Sequence, residues 1–296
     1  MKNQTLEELT RSTIKKFNIR ISKKFGQNFL IDEKALDNIL YAAQINKDDY
    51  VLEIGPGLGI LTKLLCDNAK HVLAVEIDKH LVDILRINLS DYSNLGLLNE
   101  DILKLDIKKE LKKSFKEKKC KVVANLPYYI TSPIIMRLIE ERQNINSMTL
   151  MVQKEVAQRI AAGPGGKQFG ILSVAVQYYS IPEIIAEVPA QSFYPRPEVD
   201  SAIIKLTLRQ KPFISVEDEA FFFRVVRGAF SQRRKTLLNS LYGSDLRLEK
   251  NDLEKILINC EIDSRRRAET LSLEEFALIS KEIELYIKKQ STSNLP

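Results

Sequence analysis

The stretch that decides the fold is residues 51–62, which read VLEIGPGLGILT. It begins as an apolar run typical of a buried strand, passes through a glycine-rich turn and ends as the start of an amphipathic helix. Glycines allow the backbone of such a turn to approach a ligand closely, and the N–H groups at the helix start can face an anion. The stretch therefore predicts a strand–turn–helix unit that binds a ligand at its turn.

The same alternation of apolar and amphipathic segments continues along the chain. Strands are predicted at residues 50–54, 72–76, 95–98, 122–125 and 148–152, with helices near 59–68, 79–89, 132–142 and 153–162. Strands that alternate with helices indicate a mostly parallel sheet with both faces covered, which is an α/β fold. Two later apolar runs, residues 171–180 and 201–208, read as an antiparallel hairpin at the sheet edge.

The regions on either side of this repeat are predicted to be helical. Asp32 is expected to cap a helix with an apolar stripe, and residues 1–20 are expected to form a short helix or a loose arm. The best domain boundary lies at residues 210–212, and beyond it the pattern predicts helices at about 217–228, 231–241, 250–258 and 272–289. We therefore expect a domain of residues 1–210 and a small helical domain of residues 211–296.

Composition favours an ordinary globular protein with a polyanionic partner. The 296 residues are 44% hydrophobic, enough for one large domain and a small one. Lysine and arginine outnumber aspartate and glutamate by 45 to 39, giving a net charge of +6. The basic residues cluster at 15–16, 23–24, 233–235 and 265–267. Clustered positive charge suits nucleic acid, and a mildly basic solvated surface is the alternative.

The cysteines, histidines and apolar runs exclude several classes of protein. The three cysteines are far apart and show no metal-ligand spacing, which suits a reducing compartment. With only two histidines, a histidine-based zinc site or a Ser-His-Asp triad is disfavoured. No apolar run approaches the about 18 residues of a membrane span. We expect a soluble, cytoplasmic protein without a metal or a membrane partner.

The glycine turn favours S-adenosylmethionine over other nucleotide ligands. It reads E-x-G-x-G-x-G from Glu53, and a dinucleotide fingerprint would require glycine where Ile60 stands. A P-loop is excluded because Gln168 follows Lys167 where serine or threonine is needed. No basic residue lies in the turn, as expected for a ligand that brings its own positive charge.

Acidic residues end the next two predicted strands. Glu76 stands at the distance from the glycine turn at which such folds bind ribose hydroxyls, and Asp101 could accept from an adenine amino group. Each acid taken alone could equally be a helix cap or a surface charge. Their occurrence at successive strand ends beside this glycine pattern makes the cofactor interpretation the stronger one.

The stretch Asn125-Leu126-Pro127-Tyr128 ends another predicted strand. A carboxamide and a backbone carbonyl are hydrogen-bond acceptors, and here they precede an aromatic ring. That set fits a planar base with an amino group, although Asn and Pro are also common in simple turns. A methyl-donor site nearby favours the base-binding interpretation.

Together these motifs resemble the ribosomal RNA adenine N6-methyltransferases, and within them the small-subunit adenine dimethyltransferases. The matching motifs span nearly the whole chain: residues 24–30 (KFGQNFL), 53–59, Glu76, Asp101, 125–128 and 193–201 (FYPRPEVDS). The last motif meets F-x-P-x-P-x-V-D-S at every fixed position, whereas Tyr129 stands where many relatives have asparagine. The resemblance implies a Rossmann-like class I S-adenosylmethionine-dependent methyltransferase fold with a mostly parallel seven-stranded sheet and a small C-terminal α-helical domain.

The resemblance also implies the roles of individual residues. The positions that match the family's S-adenosylmethionine site are Asn28, Leu30, Gly55, Gly57, Glu76, Asp101 and Asn125. The target-base site matches Asn125, Leu126, Tyr128 and Phe193, the two rings stacking on the base. The RNA phosphates are expected to meet Lys23, Lys24, Arg233, Arg234, Lys235, Arg265 and Arg266.

The implied substrate is a pair of adjacent adenosines in a hairpin loop near the 3′ end of 16S ribosomal RNA. Each would receive two methyl groups within a small-subunit precursor, with S-adenosylhomocysteine as the product, no metal and a monomeric enzyme. One rival is the antibiotic-resistance methyltransferase of large-subunit ribosomal RNA, which shares most of the motifs. The other is an assembly factor with a vestigial site, which the intact Gly55, Glu76, Asp101 and Asn125 argue against.

Overall fold

The computed structural model describes residues 5–22 and 25–293 and divides the chain into two compact units. The sheet unit contains the described residues up to Ala157 together with Ile181–Gln210. The helical unit contains Gln158–Ser180 and the described chain from Lys211 onward. The sequence placed residues 158–180 in the first domain, whereas their contacts place them in the helical unit.

A seven-stranded sheet with the order β4-β3-β2-β5-β6-β9-β7 forms the centre of the sheet unit. Its strands are β2 (Tyr50–Ile54), β3 (His71–Glu76), β4 (Leu95–Asn99), β5 (Cys120–Asn125), β6 (Ile145–Gln153), β7 (Ser180–Val188) and β9 (Ser201–Leu208). Strands β2 to β6 pair in parallel, and β9 pairs antiparallel with β6. The predicted fold class and all five predicted parallel strands are confirmed.

Seven helices connect or flank these strands in the described part of the first 161 residues. They are α1 (Leu6–Lys16), α2 (Glu33–Ala43), α3 (Ile60–Asn68), α4 (Lys79–Asn88), α5 (Ile107–Phe115), α6 (Thr131–Glu140) and α7 (Lys154–Ala161). The predicted cap of α2 is confirmed, since the Asp32 side chain accepts from the N–H of Ala35 at 3.2 Å. Helix α5 escaped prediction, although three buried residues four positions apart, Ile107, Leu111 and Phe115, mark its apolar stripe.

A separate two-stranded sheet joins two motifs that are far apart in sequence. Strand β1 (Phe29–Leu30) pairs antiparallel with β8 (Phe193–Tyr194). Ser192 strengthens the junction, because its Oγ donates to Asp32 Oδ2 at 2.6 Å. The amide-rich segment before β1, Gln27-Asn28, is thereby held near the F-x-P-x-P motif.

The helical unit contains α8 (Ile171–Tyr179), α9 (Glu219–Phe230), α10 (Leu237–Tyr242), α11 (Lys250–Asn259) and α12 (Leu273–Ser293). Four helices follow residue 212 as predicted, but the second, α10, begins at Leu237 and not at residue 231, because residues 231–234 form a turn. The strand predicted at residues 171–180 is wrong, because this run is helix α8 and β7 begins at its end. Six of the nine residues of α8 are buried, so its almost continuous apolar run does not distinguish a buried helix from a buried strand. Among the described helices, none is long and apolar enough to cross a membrane.

Candidate active site

A pocket opens at the carboxyl ends of β2, β3 and β5. This is the edge at which open α/β sheets bind ligands. All seven residues predicted to hold the cofactor line it, as do Leu126 and Tyr128. The structure thus brings together groups that are as many as 100 positions apart in the chain, Asn28 and Tyr128.

The glycine turn owes its shape to three left-handed residues. Gly55, Gly57 and Gly59 have φ of 70°, 58° and 86°. A Cβ on Gly57 would lie 3.2 Å from the Phe29 ring, and one on Gly59 would lie 2.6 Å from Leu85 Cδ2. Glycine is therefore required both by the backbone conformation and by the packing around the turn. The result is a cradle of bare backbone on one side of the pocket.

Glu76 closes this cradle from the end of β3. Its Oε2 accepts from the N–H of Gly57 at 3.2 Å, and its Oε1 accepts from the N–H of Asp78 at 3.0 Å. Burial raises the pKa of the carboxyl, and these backbone donors oppose part of that rise. Because a carboxylate has about four acceptor sites, each oxygen keeps capacity for a ligand hydroxyl.

Asp101 follows β4 and lies partly exposed in the pocket wall. Its Oδ1 accepts from the N–H of Leu103 at 3.0 Å. Its Oδ2 accepts no hydrogen bond from the described residues. The second oxygen is thus free to accept from an amino group of a ligand.

The end of β5 presents two further free acceptors. Asn125 Nδ2 donates to the carbonyl of Asn28 at 3.1 Å, which holds the amide and leaves Oδ1 without a partner among the described residues. The Leu126 N–H donates to Met151 O, while no described group donates to the Leu126 carbonyl. The next carbonyl, of Pro127, is already occupied by the N–H of Ile130 and the hydroxyl of Thr131. The pair of open acceptors is therefore Asn125 Oδ1 and Leu126 O.

Tyr128 is held at its hydroxyl by a residue that sequence reasoning did not single out. The hydroxyls of Tyr128 and Ser201 lie 2.6 Å apart, and Ser201 is fully buried at the start of β9. The preceding residue, Asp200, anchors the backbone next to Ser201. Its Oδ1 accepts from the N–H of Ala190 at 2.9 Å, and its carbonyl accepts from the N–H of Lys154. The position of Ser201 in the V-D-S motif was the available signal. Burial raises the pKa of Tyr128, so its hydroxyl stays protonated at neutral pH.

The structure does not offer Phe193 as the predicted second stacking face. Its ring is 2% exposed and packs in a core cluster with Leu30, Val123 and Met151, and it does not line the pocket. Pairing of β8 with β1 turns the ring inward. Tyr129, which is 57% exposed, does line the pocket and packs beside Gly26.

The amide-rich segment before β1 is fastened to the cofactor side of the pocket through Gln27. Its Oε1 accepts from the N–H of Ser22 at 2.7 Å, and its Nε2 donates to Asp78 Oδ2 at 2.9 Å. Asp78 also donates its own N–H to Glu76. A chain of hydrogen bonds thus connects Glu76 with the segment whose Asn28 carbonyl holds Asn125.

The predicted phosphate-binding residues differ in their surroundings. Lys23 and Lys24 lie outside the described residues. In the helical unit, Arg266 forms an ion pair with Glu275 and Arg265 pairs with Asp263. Arg233 donates to the carbonyl of Lys167.

Two of the predicted phosphate-binding residues have exposed side chains that form no ion pair in the described part of the chain. Arg234 and Lys235 are exposed, and neither has an acidic partner among the described residues. These two cations are therefore the ones most available to an anionic partner.

The pocket suits a nucleoside that carries positive charge. Its described lining contains Glu53, Glu76, Glu100 and Asp101 and no lysine, arginine or histidine. Oε2 of the buried Glu53 has no hydrogen-bond partner in the described chain. The cradle, the acids and the unpartnered carboxyl oxygen fit S-adenosylmethionine. This sheet order and this site define a Rossmann-like S-adenosylmethionine-dependent methyltransferase.

Comparison with known proteins identifies the family. The model of the family described as ribosomal RNA adenine dimethylase matches residues 18–281. The chain belongs to this family.

Relatives match over almost their whole length. The ribosomal RNA small subunit methyltransferase A of Alkaliphilus oremlandii is 48% identical, covering 92% of this chain and 94% of the relative. The protein of the same name from Lachnoclostridium phytofermentans is 50% identical, covering 94% of each.

Two solved structures share the fold. A dimethyladenosine transferase from Plasmodium falciparum has a TM-score of 0.73 and 28% identity, covering 89% of this chain and 98% of its own. The 23S rRNA methyltransferase ErmE has a TM-score of 0.67 and 27% identity, covering 87% of this chain and 100% of its own.

Proposed function

We propose that the protein transfers methyl groups from S-adenosylmethionine to N6 of two adjacent adenosines near the 3′ end of 16S ribosomal RNA. Each adenosine, in a hairpin loop of a small-subunit precursor, receives two methyl groups. The observation that carries the proposal is the pair of open acceptors, Asn125 Oδ1 and Leu126 O, beside the cofactor cradle. The name shared by the similar proteins points to the same subunit.

The two acceptors address the chemical difficulty of the reaction. Adenine N6 is a poor nucleophile because its lone pair is delocalised into the ring. When Asn125 Oδ1 and Leu126 O accept its two hydrogens, the nitrogen moves toward tetrahedral geometry and the lone pair becomes directional. S-adenosylmethionine, when bound, supplies a methyl group on a sulfonium, and its transfer breaks the carbon–sulfur bond and leaves a neutral thioether. The N6 proton then leaves to water, so positioning and preorganised polar groups provide the catalysis.

Tyr128 holds the base in this position by stacking. An adenosine in a loop is less costly to extrude than a paired one, and stacking on one aromatic face is worth roughly 1–3 kcal/mol. The hydrogen bond to Ser201 restrains the ring before the base arrives. A stacking role for Phe193 requires the ring to leave the core.

The remaining lining residues hold the cofactor. Glu76 would accept from the ribose hydroxyls, and Asp101 Oδ2 would accept from the adenine amino group. The backbone at Gly55 and Gly57 and residues 28–30, which line the same pocket, would hold the rest of the cofactor. The proposal needs no metal, since the sulfonium itself is the electrophile, and S-adenosylhomocysteine is the product.

We further propose that the helical unit docks the RNA and that the enzyme acts as a monomer. We assign the protein to the cytoplasm, where ribosomal precursors are assembled. Among the basic residues predicted to bind phosphates, Arg234 and Lys235 are proposed as direct contacts, since they are exposed and have no acidic partner in the described structure.

The test maps N6,N6-dimethyladenosine in both ribosomal RNAs of cells that lack the gene. We expect the adjacent pair in 16S RNA to lose its methyl groups, large-subunit RNA to be unchanged, and the wild-type gene to restore the modification. Complementation with Asn125→Ala should fail. Unchanged methylation of 16S RNA in the deleted strain would contradict the proposal, and a loss confined to 23S RNA would favour the large-subunit alternative.

A further inference from the structure

Glu53 is a carboxyl group in the pocket wall that no described residue neutralises. It lies on β2 and is 1% exposed, yet it lines the ligand pocket. Its Oε2 and the Oγ1 of neighbouring Thr62 have no hydrogen-bond partner among the described residues. An ionised carboxyl so placed is strongly unfavourable unless a positive charge joins it. Glu53 is therefore either neutral or opposite a cation.

The groups around Glu53 favour the neutral form in the protein alone. The residues paired with it across the sheet, Ala74 and Val123, are apolar. Burial raises the pKa of Glu53 to about 8. The dipole of the nearby Thr62 hydroxyl, which forms no regular hydrogen bond with the carboxyl, lowers this pKa somewhat, and the charge of Glu76 raises it further. Among the other titratable groups nearby, Cys66 on α3 has a pKa raised to about 12, chiefly by burial, so it stays a thiol. Glu100 and Asp101 line the same pocket and add negative charge, which also favours the neutral form of Glu53.

We propose that Glu53 is protonated in the ligand-free protein and releases this proton to solvent when the cationic end of S-adenosylmethionine binds. The inference rests on the assignment of that methyl donor. The donor carries a sulfonium and an ammonium group, whereas its product carries only the ammonium group. If the sulfonium is the partner, Glu53 distinguishes donor from product and favours their exchange after each transfer.

Proton release from Glu53 makes the affinity for S-adenosylmethionine rise with pH. A cation stabilises the ionised carboxyl, so the pKa of Glu53 falls in the complex. Below about pH 8 the ligand must displace a proton, and its affinity rises with pH by up to about tenfold per unit. Above about pH 8 the carboxyl is already ionised, and this contribution to the pH dependence disappears.

The experiment is calorimetric titration of the full chain with S-adenosylmethionine and with S-adenosylhomocysteine, in two buffers of different ionisation enthalpy. The matched variant is Glu53→Gln. Near pH 6.5 the wild type should release almost one proton more per bound donor than the variant. From pH 6 to 8 the affinity of the wild type for S-adenosylmethionine should rise at least about tenfold more than that of Glu53→Gln. The amino group of the ligand titrates equally with both proteins, so the difference isolates Glu53.

The two ligands separate the possible partners. Extra proton release with the donor alone assigns Glu53 to the sulfonium, and release with both ligands assigns it to the ammonium group. Equal proton counts for the wild type and Glu53→Gln overturn the inference while leaving the methyltransferase function intact. If neither ligand binds the wild type, the assignment of the methyl donor fails, and the inference fails with it.

Thr62→Val keeps the proposal falsifiable if Glu53→Gln does not fold. Loss of the Thr62 hydroxyl removes the neighbour that lowers the pKa of Glu53. The pH at which donor affinity levels off should therefore move upward. An unshifted profile in a variant with a normal melting transition contradicts the role of Glu53.

Discussion

At the scale of single residues, one hydrogen bond decides which atom of Asn125 is offered to a substrate. The Asn28 carbonyl can only accept, so it selects Nδ2 and leaves Oδ1 open. The same carbonyl belongs to the amide-rich segment that Gln27 fastens to Asp78. The orientation of the catalytic amide thus depends on the segment that encloses the cofactor.

Asn125→Ala should bind S-adenosylmethionine within a few-fold of the wild type and transfer methyl groups about 10²–10³-fold more slowly. This is the effect of removing one preorganised polar group from an active site. Single-turnover transfer to unmethylated small-subunit particles measures the rate, and calorimetry measures the affinity. Asn68→Ala, which removes an exposed amide on α3, is the control and should behave as the wild type. Near-normal turnover of Asn125→Ala would refute the mechanism.

Tyr128→Phe and Ser201→Ala each remove the same 2.6 Å hydrogen bond. A bond of this kind contributes about 0.5–1.5 kcal/mol, so each variant should lose roughly two- to tenfold in kcat. The double variant should be no slower than either single variant, because both changes abolish one interaction. Tyr41→Phe, at a tyrosine that is 78% exposed, is the matched control. Additive losses would show that Ser201 acts on the site by another route.

At the scale of elements, the turn between β2 and α3 is the least tolerant part of the site. Gly59→Ala should lower the free energy of unfolding by about 1–3 kcal/mol, because it combines a left-handed backbone with a contact to buried Leu85. Donor affinity should fall with it, since Gly59 is the N-cap of α3, whose first residue, Ile60, lines the pocket. Denaturant titration and calorimetry provide the two measurements.

Gly163→Ala is the control for this prediction. Its Cβ would meet nothing within 4 Å, and the residue is not left-handed. It should therefore leave both the stability and the donor affinity unchanged. Equal stability of the Gly59 and Gly163 variants would contradict the strain argument.

At the scale of the whole molecule, RNA binding depends less on the net charge of +6 than on which basic side chains are already paired with acidic residues. Arg266 is bound to Glu275, and this pairing raises the pKa of the guanidinium and lowers the pKa of the carboxyl. The charge of Arg266 is therefore largely neutralised by Glu275 within the helical unit. Arg234 and Lys235 have no such partner in the described chain and can release counterions from RNA.

Replacing Arg234 or Lys235 by alanine should reduce the slope of log affinity against log salt by about 0.7–0.9 each. Binding to small-subunit particles over a range of salt concentrations measures the slope. Arg224→Ala, at an arginine paired with Asp245 in the same unit, should leave the slope unchanged. If the slopes of the Arg234 and Lys235 variants match that of the wild type, the docking surface has been assigned to the wrong residues.

Local features of the sequence determined the fold and most of the pocket. The periodicity of apolar residues and the preference of glycine for positive φ determine the backbone over only a few residues. Residues 51–62 therefore already specify β2, the turn and the start of α3. Asn125 and Glu76 were identified for the same reason, since each ends a strand whose apolar run is visible in the sequence.

Only the tertiary structure decided how distant side chains meet. The bond from Asn125 to Asn28 spans 97 positions and that from Tyr128 to Ser201 spans 73, and neither leaves a periodic signal in the chain. Pairing of β1 with β8 sends Phe193 into the core, although its motif predicted a ring facing a base. Burial and long-range hydrogen bonds depend on packing between elements, and this is why they appear only in the folded chain.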